Sequence, residues 1–377
     1  MTNLSSKLIL AVGMLGLSAC GNSVSQQVQE TVQINRNAAS LAEWDASPAN
    51  PEAVFKNWRQ EYSEPRDQEK LSSQLCSKLK DLDGLSLTIF ENEIRSDINQ
   101  SLVKPCRKDL LAQLERHYTA ERATLKVRVN ALSVEPSGNN FQFPENIQYR
   151  DVSKGYFARA GDVAAKEIVL TFDDGPSDVY TRSVLRTLKE VNAKAHFFQL
   201  GKNVRQNQDV VKLAAADGHA MGSHSVTHSC LATTPTCERL MYKPLSFTEA
   251  AAEIRGGHQA VFDTLGYVEP FFRFPYGEVD SELRNYLNTN SVAEFNWNID
   301  SEDWKAQTNE QLLKYTLETI EKKGRGILLM HDIHRRTAEV LPQLLAELYN
   351  RGYSIVLLQP TDATARYNSK LVKKPVP

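Results

Sequence analysis

From about residue 155 to residue 358, short apolar runs rich in β-branched and aromatic residues alternate with longer amphipathic runs. No other feature constrains the fold of this chain so tightly. The strand-like runs are 168–172, 195–200, 220–223, 271–274, 293–298, 326–330 and 353–358. Between them lie helical patterns at 179–191, 209–217, 247–265, 280–289, 310–323 and 338–351. Strand–helix alternation of this kind produces parallel strands joined by helical crossovers, so the fold class is α/β. Seven strands are enough to curl into a barrel, and polar residues cluster at the C-terminal ends of the strands, where such folds keep their sites.

The first of these strands stops abruptly. Ile168 to Phe172 leads into Asp173-Asp174-Gly175-Pro176, and Gly-Pro cannot continue a buried strand. Neighbouring side chains at a strand end point to opposite sides, so the two carboxylates are expected to divide their work. One would hold a metal and the other would handle a proton. After the third strand comes His224-Ser225-Val226-Thr227-His228, two imidazoles at a spacing that presents both to one point if the segment turns helically. Together with a strand-terminal Asp they supply the three ligands of an open metal site. The fourth strand ends in Arg273-Phe274-Pro275-Tyr276, which sets a guanidinium where it can hold Asp173. The fifth leads to Asp300-Ser301-Glu302-Asp303-Trp304 and the sixth to Leu329-Met330-His331, again at the same end of the sheet.

These five motifs, in this order, resemble the polysaccharide deacetylases with the NodB homology domain, carbohydrate esterase family four. The likeness covers residues 155 to 358 and leaves out everything before. It implies a distorted (β/α)7 barrel, with Asp174, His224 and His228 binding a divalent metal, most often Zn²⁺. It also implies Asp173 as general base, Arg273 as the group positioning it, His331 as general acid and Asp303 as the carboxylate tuning that acid. The Tyr276 backbone N–H would serve an oxyanion, and Trp304 and Leu329 would line an acetyl pocket. The expected reaction is removal of acetyl groups from N-acetylglucosamine units of a polysaccharide such as peptidoglycan, a chitin-like chain or poly-N-acetylglucosamine. Two rivals stand beside it: an esterase acting on O-acetyl groups of a xylan-type polymer, and a non-catalytic glycan-binding lipoprotein.

The chain of 377 residues carries 44 Lys and Arg against 46 Asp and Glu, with no strong block of either sign, which argues against a nucleic-acid partner. Its N-terminus reads as an address. An apolar run at 8–17 follows Lys7, too short to span a bilayer, and Leu17-Ser18-Ala19-Cys20 resembles a lipobox in which Cys20 is lipidated. Residues 1–19 are thus expected to be a signal peptide, and 20–47 a lipidated tether on a bacterial membrane, the periplasmic face of the outer membrane in a Gram-negative cell. Residues 48–154 read as an N-terminal α/β module, with helices at 68–82 and 108–122 and strand-like runs at 85–90 and 125–129. The aromatic residues Trp44, Phe55, Trp58 and Tyr62 have the chemistry to bind sugar rings, and core packing is the preferred expectation. The catalytic domain spans 155–365, and 366–377 is a basic tail with Lys370, Lys373 and Lys374.

Four cysteines are left once Cys20 is set aside. In an exported protein they are expected to form disulfides, and local pairing favours Cys76 with Cys106 and Cys230 with Cys237 among three possible pairings. His196 reads as a packed strand residue, His219 as a support for the strand before the histidine pair, His258 and His117 as helix residues, and His334 as a residue of the site's rim.

Overall fold

The computed structural model describes residues 51–62, 68–131, 141–239 and 245–373. Its centre is a curled, open sheet of parallel strands with helices outside it, a half-barrel consistent with the distorted (β/α)7 architecture. In chain order the strands are β1 (Ile147–Arg150), β2 (Phe157–Ala158), β3 (Glu167–Asp173), β4 (His196–Gln199), β5 (Ala220–Ser223), β6 (Phe271–Phe272), β7 (Ala293–Phe295), β8 (Ile299–Asp300), β9 (Gly326–His331), β10 (Ser354–Ile355) and β11 (Leu357–Pro360). The sheet runs β2-β7-β6-β5-β4-β3-β9-β8, with β10 paired to the start of β3, while β1 and β11 form a separate pair.

The central strand β3 is a nearly continuous apolar run because it is covered on both faces. Ile168, Leu170 and Phe172 pack under the outer helices, and Val169 faces an inner core with Phe198, Phe271, Phe295 and Ile327. Outside, helix Tyr180–Glu190 turns Val184, Leu185 and Leu188 inward and leaves Arg186 and Lys189 exposed. Each such buried side chain contributes about 1.5–3 kcal/mol. The longer helices are bounded by chemistry written in the sequence. Phe247–Leu265 starts with a capping box of Ser246 and Glu249 and ends at Gly266, whose φ of 76° is the left-handed conformation that suits glycine.

The run at 353–358, expected as a single seventh strand, is broken in two. Ser354 and Ile355 pair with β3, Leu357–Pro360 pairs with β1, and Val356 to Leu358 fill the inner core. Strands β1, β2 and β8 are not among the runs read from the sequence. Residues 141–154, read from the sequence as part of the module, pack with the barrel: Phe143 is buried beneath its helices and its N–H donates to Val191 O at 2.9 Å. The tail is anchored up to residue 373, with Leu371 buried against the helix layer.

Among the described residues of 51–131 there are helices and turns but no strand, which corrects the strand-like runs expected at 85–90 and 125–129. Residues 85–90 form helix Gly84–Leu87 and the 3-10 turn Thr88–Phe90, and 125–129 lie inside helix Arg107–Ala131. The physical reason is legible afterwards. Asp83 caps the turn by accepting the Ser86 N–H at 2.6 Å, and Leu87, Phe90 and Ile94 are buried at helical spacing. Phe55 and Trp58 lie in the module's core with Tyr62 against it, whereas Trp44 lies outside the described residues. Cys76 is joined to Cys106, and Cys230 to Cys237.

The module is built into the barrel. Ala306, from the loop after β8, belongs to the module's apolar core. The buried Glu91 carboxylate accepts the hydroxyls of Tyr118 at 2.8 Å and of Tyr180, on the barrel, at 2.7 Å. Arg336 reaches back to Thr88 Oγ1 at 3.0 Å. No helix among the described residues is long and apolar enough to cross a membrane, and Cys20 lies outside them.

Candidate metal centre and its proton-transfer groups

The sheet order brings distant motifs together. Asp173 on β3 is the direct neighbour of His331 on β9, and Ser223, just before His224, is paired with Phe272, just before Arg273. All of these lie at the C-terminal ends of their strands.

Asp174, His224 and His228 offer ligand atoms within 4.8 Å of one another. The Nε2 atoms of His224 and His228 lie 3.5 and 3.4 Å from Asp174 Oδ1. That oxygen is buried and has no hydrogen-bond partner among the described residues. A lone buried carboxylate oxygen facing two imidazole nitrogens fits a divalent cation, since one N/N/O set with an open side is the usual catalytic arrangement. The rings are aimed from behind. His224 Nδ1–H donates to the Arg273 carbonyl at 2.7 Å, leaving Nε2 to face the site, and His228 Nδ1 meets the Tyr276 hydroxyl at 3.1 Å. Burial holds the His224 imidazole down at about 4, so it is neutral and able to ligate at pH 7. Asp174 is buried too, yet the imidazoles of His228, His331 and His224 hold its carboxyl well below the usual range.

Two expectations about local geometry need correcting. The His224–His228 segment is not a helical turn; it is a loop in which Ser225 and His228 take left-handed backbone, at φ 72° and 64°. Nor do the paired carboxylates point apart. Asp174 has φ 72°, which re-aims its side chain, and Asp173 Oδ2 also comes within 3.7 Å of His224 Nε2. Alternation belongs to extended backbone, and β3 ends at Asp173.

Asp173 is fixed by Arg273, whose guanidinium is fully buried, donates to Asp173 Oδ1 at 2.7 Å and lies 4.4 Å over the Phe198 ring. The same nitrogen donates to Thr171 Oγ1 at 2.8 Å. Burial pushes the Asp173 carboxyl up to about 6, against the pull of Arg273. Across the site, His331 Nδ1–H donates to Asp303 Oδ1 at 2.7 Å, and its backbone N–H donates to Asp303 Oδ2 at 2.7 Å. Burial works against the charge on His331, but Asp303 overrides it and raises the imidazole well above its ordinary range. Leu329 is buried on β9 and Trp304 is half-buried on the loop after β8. Tyr276 has left-handed backbone at φ 61°.

Several supporting residues had no sequence signal. Glu253, on the polar side of helix Phe247–Leu265, accepts the backbone N–H groups of Val226 and Thr227 at 2.9 Å each and clamps the histidine loop. Asn203 Nδ2 donates to the Asp174 carbonyl at 2.7 Å, and Thr337 Oγ1 to Asp303 Oδ2 at 2.5 Å. Gly175 is required by crowding, since a Cβ there would sit 2.3 Å from the Asp332 carboxyl. His196, His219 and His258 are buried packing residues, while His334 receives Asn92 Nδ2 of the module at 3.4 Å.

Residues 160–294 match the sequence profile of the family described as Polysaccharide deacetylase. A peptidoglycan-N-acetylglucosamine deacetylase of Bacillus cereus is 33% identical over 236 residues, covering 59% of this chain and 80% of that protein. The chain belongs to the polysaccharide deacetylase family. The peptidoglycan-N-acetylglucosamine deacetylase PgdA of Listeria monocytogenes is 35% identical over 233 residues, 62% of this chain, and the chain spans only 45% of that relative's length. Among solved structures, a Bdellovibrio bacteriovorus peptidoglycan deacetylase superposes with a TM-score of 0.78 at 50% identity, covering 93% of this chain and 98% of that one. That likeness takes in the helical module as well as the polysaccharide deacetylase barrel.

Proposed function

We propose that this protein is a metal-dependent hydrolase that removes acetyl groups from N-acetylglucosamine units of an envelope polysaccharide, with peptidoglycan the first candidate. The observation that carries the reading is the convergence at one sheet end of three ligands, an Arg-held carboxylate and an Asp-held imidazole. Asp174, His224 and His228 would hold a divalent cation, Zn²⁺ being the first choice, which when bound would lower the pKa of water toward ~7 and polarise the acetyl carbonyl. Asp173 accepts the proton of the attacking water through Oδ2, because Oδ1 is held by Arg273. His331, kept protonated by Asp303, gives its Nε2 proton to the departing sugar amine as the carbon–nitrogen bond breaks. The Tyr276 N–H is assigned to the developing oxyanion, and Leu329 and Trp304 to the acetyl methyl. The products are acetate and a glucosamine unit. We also assign Cys20 as the lipidated residue of a protein anchored at a bacterial membrane.

The test separates ligand from base. Asp174→Ala loses bound zinc by metal analysis, whereas Asp173→Asn keeps it and loses about 10²–10⁴-fold in turnover. Acetate release from N-acetylated glycans by the purified mature protein is abolished by a chelator and restored by zinc. Release from acetylxylan alone would replace the amidase by the esterase.

A further inference from the structure

The mechanism above uses only the barrel, yet the cleft over the metal ligands has two owners. A cavity of about 1090 Å³ has Asp174 and His228 in its wall and is lined on one side by the helical module, through Asn92 and Ile98, and on the other by the barrel, through Val179 and Lys202. Ile98 and Val179 are 64% and 65% exposed, the two most exposed large hydrophobic side chains among the described residues, and both line this one cleft. Ligand pockets for small molecules span roughly 300–1,000 Å³, so this space exceeds what a single sugar fills. It is continuous with the ligand set and flanked by guanidiniums, among them Arg59 and Arg95 of the module.

We propose that the helical module is one wall of an extended glycan-binding groove, and that Ile98 and Val179 seat sugar rings beyond the unit being deacetylated. The inference rests on the deacetylase reading and adds a part for the helical module: it holds the sugars flanking the reacting unit, so that a longer chain is bound better than a disaccharide. Sugars present apolar C–H faces and polar edges. An exposed aliphatic side chain on each wall, with hydrogen-bond donors around it, matches both features. The module is held where this requires. Glu91 ties it to Tyr180, which follows the carboxylate loop, and Asn92 meets His334, which follows His331.

The experiment compares kcat and KM for β-linked N-acetylglucosamine oligomers of two and six sugars, using the zinc-loaded full chain and its Ile98→Asp, Val179→Asp and Ile98→Leu variants. The Asp variants should lower the ratio of kcat/KM for the long over the short oligomer by about tenfold, the size of one aliphatic contact, mostly through KM. Ile98→Leu should restore that ratio. An unchanged ratio in both Asp variants, or an equal loss on both oligomers, would overturn the groove. Wild-type protein that releases acetate from neither oligomer would instead count against the deacetylase reading. Thermal melting of each variant shows whether a loss comes from unfolding.

Discussion

As the proposed base, Asp173 is buried at 2% exposure, and its surroundings set the pH at which it would act. Burial raises the carboxyl to about 6, and Arg273 opposes that shift. Activity needs the ionised form, so kcat/KM should fall about tenfold per pH unit on the acid side, with the limb at or below pH 6 because a bound cation favours the carboxylate. Removing the guanidinium charge with Arg273→Gln should move that limb upward in a kcat/KM profile against pH; a limb that stays put would separate Arg273 from Asp173. Stability carries the opposite sign. A raised carboxyl contributes stability that is full below its unfolded value and is lost as pH rises through about 6, so the proposed base is held at a cost to the fold. The backbone bears a similar load: Asp174, Ser225, His228, Tyr276 and Glu302 all adopt positive φ, and all lie on loops of the site.

At the scale of elements, each strand end delivers one or two groups, and a neighbouring element holds the loop in place. Helix Phe247–Leu265 does so for the histidine loop through the Glu253 carboxylate. Glu253→Ala should weaken zinc binding about 10–100-fold in a competition titration while leaving the three ligands intact, and Glu253→Gln should recover part of it. Unaltered affinity in the Ala variant would mean the loop holds itself. This division also explains what could be read in advance. Strand β3 and its terminal carboxylates, the histidine pair, Arg273 and His331 sit at ends of apolar runs, where a period or its interruption is visible. Glu253, Asn203 and Thr337 act through backbone atoms or at long sequence distance, and each looks like an ordinary polar position on a helix. The error in the module had a related cause. Residues 85–90 contain enough leucine, isoleucine and phenylalanine to resemble a strand, and only burial at Leu87, Phe90 and Ile94 reveals the helical spacing.

Taken whole, the molecule joins two cores that cannot be parted cleanly. Ala306 of the barrel lies in the module's core, and Glu91 of the module receives Tyr180 of the barrel. Calorimetry should therefore show one unfolding transition; two resolved peaks would contradict the coupling. The Cys76–Cys106 bridge spans a sequence separation of 30. Replacing both cysteines by serine should cost about 3 kcal/mol in denaturant unfolding, by releasing the entropy of the open chain.

The half-barrel also leaves its sheet unclosed, and an unclosed sheet has margins that other chains can join. Here the outermost strands are β2 and β8, two residues each. Margins that short give a stranger almost no ladder to add to, so the open architecture can leave room for a long polymer without inviting fibrous stacking among its own copies.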